Sequence, residues 1–474
     1  PKDGPRILPP DQMKELRGVQ PLDPRDIPGL NLDGLDLPEP NPAPEPSGAV
    51  PIPDSSGAIA ALDRILGAGP SVGSNNWVVH GSRTKTGAPI LSGDPHLGVQ
   101  VPSIWYLVEI EAPGYHVVGA TMPGLPGVVL GHNENIAWSV TNLGADVMDL
   151  ILEREDPERP GFVLRPDGHE EIVERDEAIR VRGRKKPVVH PVRTTSNGPL
   201  VGAFYKGFDD EPAMRWTALL HGDTTLLSFW EIGRAQNWDE FLEALRHYVV
   251  PSQNFVYADR QGHIGWKTPG LIPIREGFEG GRPGQAWEGD RWVGFIPFEE
   301  LPEAKDPIRG WLATANNHPV PDDYPHHLGR RFSTPYRAAR IIDLIEQGAG
   351  RSVAGQRAMQ LDVLSPQPEE LLPLLLGVEP RGRVQSLALE LLRSWDGSHD
   401  LESGGAAVFN AWQVEVIDVL LAMHYPRRAP ARQGGLSGVA LRSILRGTAP
   451  GLCQSGPGSK RLRFESCEDL VAHA

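Results

Sequence analysis

Ten prolines fall between Pro21 and Pro53, in runs such as Leu37-Pro-Glu-Pro-Asn-Pro-Ala-Pro-Glu-Pro46, and fifteen of the chain's 47 lie in its first 73 residues. Each proline fixes φ and removes a backbone donor, so this stretch is expected to run extended, building neither helix nor sheet. A packed core must come from the residues beyond it. Within the segment only Ser56 to Leu66 has helical spacing, with Ile59, Leu62 and Ile65 on one face. The plain expectation for residues 1–73 is a surface linker. The sharper one is a propeptide or spacer upstream of a processing point.

From Asn75 the texture changes to short strand-like runs: Trp77-Val-Val, Pro89-Ile-Leu, Ile104 to Ile110, Tyr115-His-Val-Val-Gly and Gly127-Val-Val-Leu, punctuated by Gly, Pro, Asn or Asp. Others lie at Gly161-Phe-Val-Leu, Ile172-Val-Glu and Ile179-Arg-Val, and Asn254 to Trp266 reads as a hairpin turning at Gln261-Gly262. Helical spacing comes later, over Leu227–Ala235, Trp238–Tyr248, Pro335–Gln347, Pro368–Leu376, Val384–Trp395 and Ala406–His424. Strands first and helices second, without βαβ alternation, predict an α+β or layered αββα fold over a parallel doubly wound sheet.

A formal net charge of −15 argues against a nucleic-acid or anionic-membrane partner, because both need a positive field. Cys453 and Cys467 are too few for a disulfide framework and leave the redox compartment open. The chain opens at Pro1 without a charged-then-apolar leader, so it reads as a mature form or a fragment. Residues 429–474 form a divergent tail, basic through Arg432, Arg442, Arg446, Lys460, Arg461 and Arg463 and expected to be solvated. There is no Walker loop, no dinucleotide-binding glycine motif and no His-Glu-x-x-His. The loop from His318 to His327 lacks the spacing of a zinc site, so metal-dependent hydrolysis there is the weakest of the readings.

At the junction of the two textures stands Gly73-Ser-Asn-Asn-Trp77. A serine hydroxyl is a poor nucleophile without an adjacent base. A cut between Gly73 and Ser74 would free an α-amine on the same residue as the hydroxyl, with an unperturbed pKa of about 7.7–8.0 that suits a base near neutral pH. Read alone, a Gly-Ser-Asn turn is equally a structural feature.

Ser74-Asn-Asn-Trp-Val-Val, Asp94-Pro-His-Leu97, Gly119-Ala-Thr-Met-Pro-Gly-Leu-Pro126 and Gly131-His-Asn-Glu-Asn-Ile-Ala-Trp138, taken in order, resemble the penicillin acylase family of N-terminal-nucleophile (Ntn) amidohydrolases. The likeness continues at Arg215-Trp-Thr217, Gln253 to Asp259, Gly262-His-Ile-Gly265, Ala315-Asn-Asn-His-Pro319 and Tyr336-Arg-Ala-Ala-Arg-Ile341, covering about residues 74–345. The resemblance implies a four-layer αββα sandwich and autocatalytic cleavage at Gly73-Ser74. Residues 1–73 would then be the end of an α chain plus spacer, and 74–428 the β-chain Ntn domain with a helical insert.

The reaction implied is hydrolysis of a linear amide through an acyl-enzyme. Ser74 would be the nucleophile and its α-amine the base, with the side-chain amide of Asn316 and the backbone N–H of Asn142 as oxyanion donors. His96 would hold the serine or α-amine by hydrogen bonding, and Arg337 would support the oxyanion asparagine. Asp146, Val147 and Asp149 resemble the family's loop for a structural calcium, a hard cation suited to such oxygens; no cofactor is implied for catalysis. The partners implied are a small N-acyl substrate, a β-lactam or an acyl-homoserine lactone, and the α chain held to the β chain after self-cleavage. Trp105, Tyr106, Met122, Leu125, Phe255 and Trp266 are candidates for the acyl pocket wall or for plain core. Export to the periplasm or medium is implied too. The competing reading is an unprocessed or inactive fragment with a binding or vestigial role.

Overall fold

In a computed structural model, residues 73–424 are described apart from 99, 100, 206 and 331, together with 444, 445, 453 and 471. The helical spacing at Ser56–Leu66 lies outside the described residues. Strand β1 (Gly73–Val79) is central in a three-stranded antiparallel sheet, between β2 (Ile90–His96) and β20 (Trp311–Thr314). Beside it lies a seven-stranded sheet. Its order is β19 (Glu303–Lys305), β15 (Ile264–Lys267), β14 (Gln253–Asp259), β6 (Ile136–Asn142), β5 (Leu130–His132), β4 (Tyr115–Thr121) and β3 (Tyr106–Ala112).

Period-two alternation explains how these sheets stack. Along β1 and β14, Val78 and Val256 turn inward to meet Trp266, Ile264 and Leu312, all fully buried between the sheets. The alternate residues turn outward. Phe255 and Tyr257 meet Phe229 of α1 (Thr225–Ile232) and Trp238, Phe241 and Leu245 of α2 (Trp238–Leu245). Trp77 and Val79 meet Ala338, Ile341 and Ile345 of α3 (Tyr336–Glu346) and Met359 of α4 (Val353–Gln360). Helices thus lie on the far side of each sheet. Gly265 lets α2 approach, because a Cβ there would stand 2.2 Å from the Trp238 ring.

A smaller β region is built on β7 (Met148–Glu153), which pairs with β13 (Glu211–Trp216) and β17 (Gly284–Gln285). Around it run β8 (Phe162–Arg165) with β9 (Gly168–Glu171), β10 (Val173–Ile179) with β11 (Val188–Thr195) and β12 (Gly198–Pro199), and β16 (Pro273–Glu276) with β18 (Arg291–Phe295). Beyond α4, α5 (Gln367–Leu376), α6 (Arg383–Arg393) and α7 (Gly404–His424) gather around Phe409, Trp412 and Val416.

The expected hairpin turns at Gly262, whose φ is +102°, and the expected helices are present. The sequence reading omits α4, whose short run buries only Gln356 and Met359. The solvated tail is corrected at its described positions: Ile444, Leu445, Cys453 and Val471 are buried against the α5–α7 cluster, and Cys453 is disulfide-bonded.

Candidate active site at the start of the first strand

Ser74 is the second residue of β1 and is 7% exposed. Its backbone N–H donates to Asn316 Oδ1 at 2.8 Å. Asn316 follows β20, which pairs with β1, and holds a left-handed φ of +60°. Asparagine tolerates that conformation better than most residues, because its short side chain bonds locally. The other end of the same amide, Nδ2, donates to the Asn142 carbonyl at 2.8 Å. Asn142 ends β6 opposite Gln253. The next residue, Leu143, donates to the Ser252 carbonyl, so Asn142 occupies the non-bonded position of the ladder. Its N–H and C=O therefore point away from β14, on the side where the Asn316 amide sits.

Arg337, in the first turn of α3, ties these groups together. One guanidinium nitrogen donates to the Ser74 carbonyl at 2.9 Å and to Asn75 Oδ1 at 2.7 Å; another donates to Asn316 Oδ1 at 3.0 Å and Ser333 Oγ at 3.2 Å. This uses the planar fork that only arginine offers. Burial lowers the Arg337 pKa from its ordinary value, and the Asp94 carboxylate opposes the shift. Asn75 Nδ2 in turn bonds Asp94 Oδ2 at 3.1 Å across β1 and β2.

His96 pairs with Gly73 across the same ladder, so its ring lies on the face of Gly73 and Asn75, whereas the Ser74 side chain faces the other way. A Cβ on Gly73 would stand 2.7 Å from His96 Nε2 and 3.1 Å from an Arg337 nitrogen. His96 Nδ1 is 3.0 Å from the Asp94 carbonyl. On this face, Asn75, Asp94, His96, Arg337, Arg340 and Met359 border a cleft of about 430 Å³, behind the Ser74 hydroxyl.

Beneath Ser74, a buried polar network locks the two sheets together. Thr314 joins Asn76 and Thr141, Asn254 Nδ2 donates to Thr141 Oγ1 at 3.2 Å, and Trp266 Nε1 donates to Asn254 Oδ1 at 3.2 Å. Trp266 and Phe255 are core, and Tyr106 is 63% exposed and lines no enclosed wall among the described residues.

Ser74, Asn142, Asn316 and Arg337 are thus brought into one hydrogen-bonded set, with His96 alongside. Asn75 and Asp94 stand in the sequence motifs without an evident role, because their pairing requires the β1–β2 register. Asp146, Val147 and Asp149 fall outside the set. Their donors do not fit calcium as they stand. Asp149 Oδ2 accepts from Arg275 Nε and Trp292 Nε1, the Asp146 carbonyl accepts from Arg275, and His327 stands on the Asp146 carboxylate. Among the described residues no group of three or more His, Cys, Asp or Glu could hold a metal.

The family model for penicillin amidase matches residues 6–474, nearly the whole chain. This chain belongs to the penicillin amidase family. The match runs through residues 429–474, where no family motif is legible by eye. Among curated penicillin amidase relatives, the acyl-homoserine lactone acylase QuiP of Pseudomonas fluorescens (strain Pf0-1) is 30% identical over 81% of this chain and 48% of its own length. The penicillin acylase 2 proenzyme of Pseudomonas sp. (strain SE83) is 32% identical over 75% of this chain and 46% of its own. The chain therefore spans about half the length of the curated relatives it matches. In fold it is similar to the thermostable penicillin G acylase of Alcaligenes faecalis, with a TM-score of 0.69, 24% identity, and coverage of 84% of this chain and 76% of that one. Among the described residues no helix is long and apolar enough to cross a membrane.

Proposed function

We propose that this chain is an amidohydrolase of the penicillin acylase type, with an αββα Ntn sandwich and Ser74 as a nucleophile exposed by self-cleavage. The observation that carries this is the 2.8 Å hydrogen bond from the Ser74 N–H to Asn316 Oδ1. It joins the residue at the junction to the amide best placed to stabilise an oxyanion.

In maturation, Ser74 Oγ attacks the Gly73 carbonyl carbon, the C–N bond breaks, and the acyl group moves to oxygen as an ester. Water then hydrolyses the ester, leaving a Gly73 carboxylate and a Ser74 α-amine. The segment ending at Gly73 stays as an α chain beside the chain starting at Ser74. In turnover, Oγ adds to the substrate amide carbon while its proton passes to the α-amine. Asn316 Nδ2, released from the Asn142 carbonyl, and the Asn142 N–H receive the oxyanion. Collapse expels the amine, which takes the proton, and water hydrolyses the acyl-serine to a carboxylate. The α-amine keeps Asn316 Oδ1 as its acceptor, Arg337 holds the asparagine in place, and His96 attends the junction from the Gly73 face, where the new terminus forms.

The substrate class we assign is a linear N-acyl amide, either a β-lactam or an acyl-homoserine lactone, as the relatives' names indicate. Export to the periplasm or medium fits the disulfide at Cys453, since disulfides persist in oxidising compartments. Acid-quenched intact mass after incubation with an N-acyl substrate tests the mechanism: an acyl increment on a fragment beginning at Ser74 is expected. Turnover in Ser74→Ala would overturn it.

A further inference from the structure

The loop from Leu143 to Asp149 leads from the Asn142 strand end into β7, and it is anchored by an arginine from 126 residues further along the chain. Arg275 lies on β16 with its side chain only 4% exposed, against 3% for Asp149. Its Nε donates to Asp149 Oδ2 at 2.8 Å, a terminal nitrogen donates to the Asp146 carbonyl at 2.7 Å, and the other reaches the Pro273 carbonyl at 3.4 Å. Trp292 Nε1 adds a donor to the same Asp149 oxygen at 2.6 Å. The Asp146 carboxylate has its own partner, His327 Nε2 at 3.2 Å. A cation shared by the Asp146 and Asp149 carboxylates and the Val147 carbonyl would compete with Arg275 and Trp292 at Asp149, with His327 at Asp146 and with the Thr217 N–H at Val147.

The surroundings are shaped for that group. Gly280, with φ at +76°, passes so close that a Cβ would stand 3.0 Å from Arg275 Nε and 3.2 Å from Asp149 Oδ1. Any side chain there would crowd both partners. The same solution recurs nearby: buried Glu153 takes two nitrogens of Arg165 at 2.6 and 3.1 Å, and buried Asp290 takes Arg282 at 3.3 Å. Calcium needs six to eight oxygens, whereas here one oxygen of each carboxylate and the carbonyls of Asp146 and Val147 are already engaged by nitrogen groups of the chain itself.

We propose that Arg275 is a built-in cation that pins the 143–149 loop to β16, and that this chain binds no calcium at Asp146 and Asp149. The test uses the full chain, stripped with EDTA and titrated with calcium chloride. The melting temperature is read by circular dichroism and calcium uptake by equilibrium dialysis. The expected result is an unchanged melting temperature with calcium or chelator and no stoichiometric uptake, while Arg275→Gln melts several degrees lower. Uptake of one calcium per chain with a raised melting temperature would overturn the proposal, and so would an Arg275→Gln variant that melts like the parent. Should Arg275→Gln fail to fold, the wild-type titration still decides, and Trp292→Phe, which removes one donor from Asp149, is expected to lower the melting temperature by a smaller margin.

Discussion

At the residue scale, one asparagine carries most of the geometry. Asn316 accepts from the Ser74 N–H, donates to the Asn142 carbonyl and accepts from Arg337, all within 3.0 Å. Asn316→Ala should lower turnover by roughly 10²–10³-fold, the usual cost of one oxyanion donor; steady-state kinetics on the matured enzyme would measure it, and an unchanged kcat would place the donor elsewhere. Gly73 sits in the narrowest part of the junction, between His96 Nε2 and the Arg337 guanidinium. Gly73→Val should slow self-cleavage by at least an order of magnitude in a gel time course, since its side chain must displace one of them. Cleavage at the parental rate would show that neither group is fixed in the precursor. Ser74, Asn316, Arg337 and His96 are legible in the sequence through ordered motifs. The Asn75–Asp94 pair and the Arg275 clamp are not, because each depends on partners 19 and 126 residues apart that only the folded backbone brings together.

At the scale of elements, helices are held to sheets by contacts that spacing does not reveal. The sequence shows that Trp238–Leu245 has an apolar face; it does not show that Gly265 must be bare for Trp238 to lie on it. Gly265→Ala should destabilise the fold by about 1–3 kcal/mol through overpacking, measurable by urea unfolding, and a neutral effect would mean that α2 can lift without cost. On the opposite layer, Arg340 of α3 makes two hydrogen bonds, at 2.9 and 2.7 Å, to Asp362 just after α4. This clamp lowers the Asp362 pKa from its ordinary 3.8. A depressed carboxyl pKa gives a contribution fully present above about pH 4 and lost as pH falls through the folded value. Asp362→Asn should therefore flatten stability against pH on the acid side and leave the neutral-pH slope unaltered. An acid limb identical to the parent's would show that the pair contributes nothing. Helix α4 itself escapes the sequence reading, although Ser352 caps it by accepting from the Gly355 N–H. Eight residues with two buried side chains carry too little periodicity to stand out.

At the scale of the molecule, the order of strands and helices foretells the α+β class, and the stacking of the two sheets accords with alternation along β1 and β14. The tail after residue 428 departs from its expectation at the described positions. Its arginines and glycines read as solvated, yet Ile444, Leu445, Cys453 and Val471 close the core of the last three helices. Isolated apolar residues among polar ones carry no period, so their burial shows only in the fold. The central claim concerns the whole chain: that it cuts itself between Gly73 and Ser74, and that the new serine terminus is the catalytic group. Intact mass and N-terminal sequencing of the purified full chain, beside its Ser74→Ala variant, test this most directly. The account predicts a fragment beginning Ser-Asn-Asn-Trp in the parent and a single uncut chain in the variant. An uncut chain in both, or the same cut in both, would contradict it.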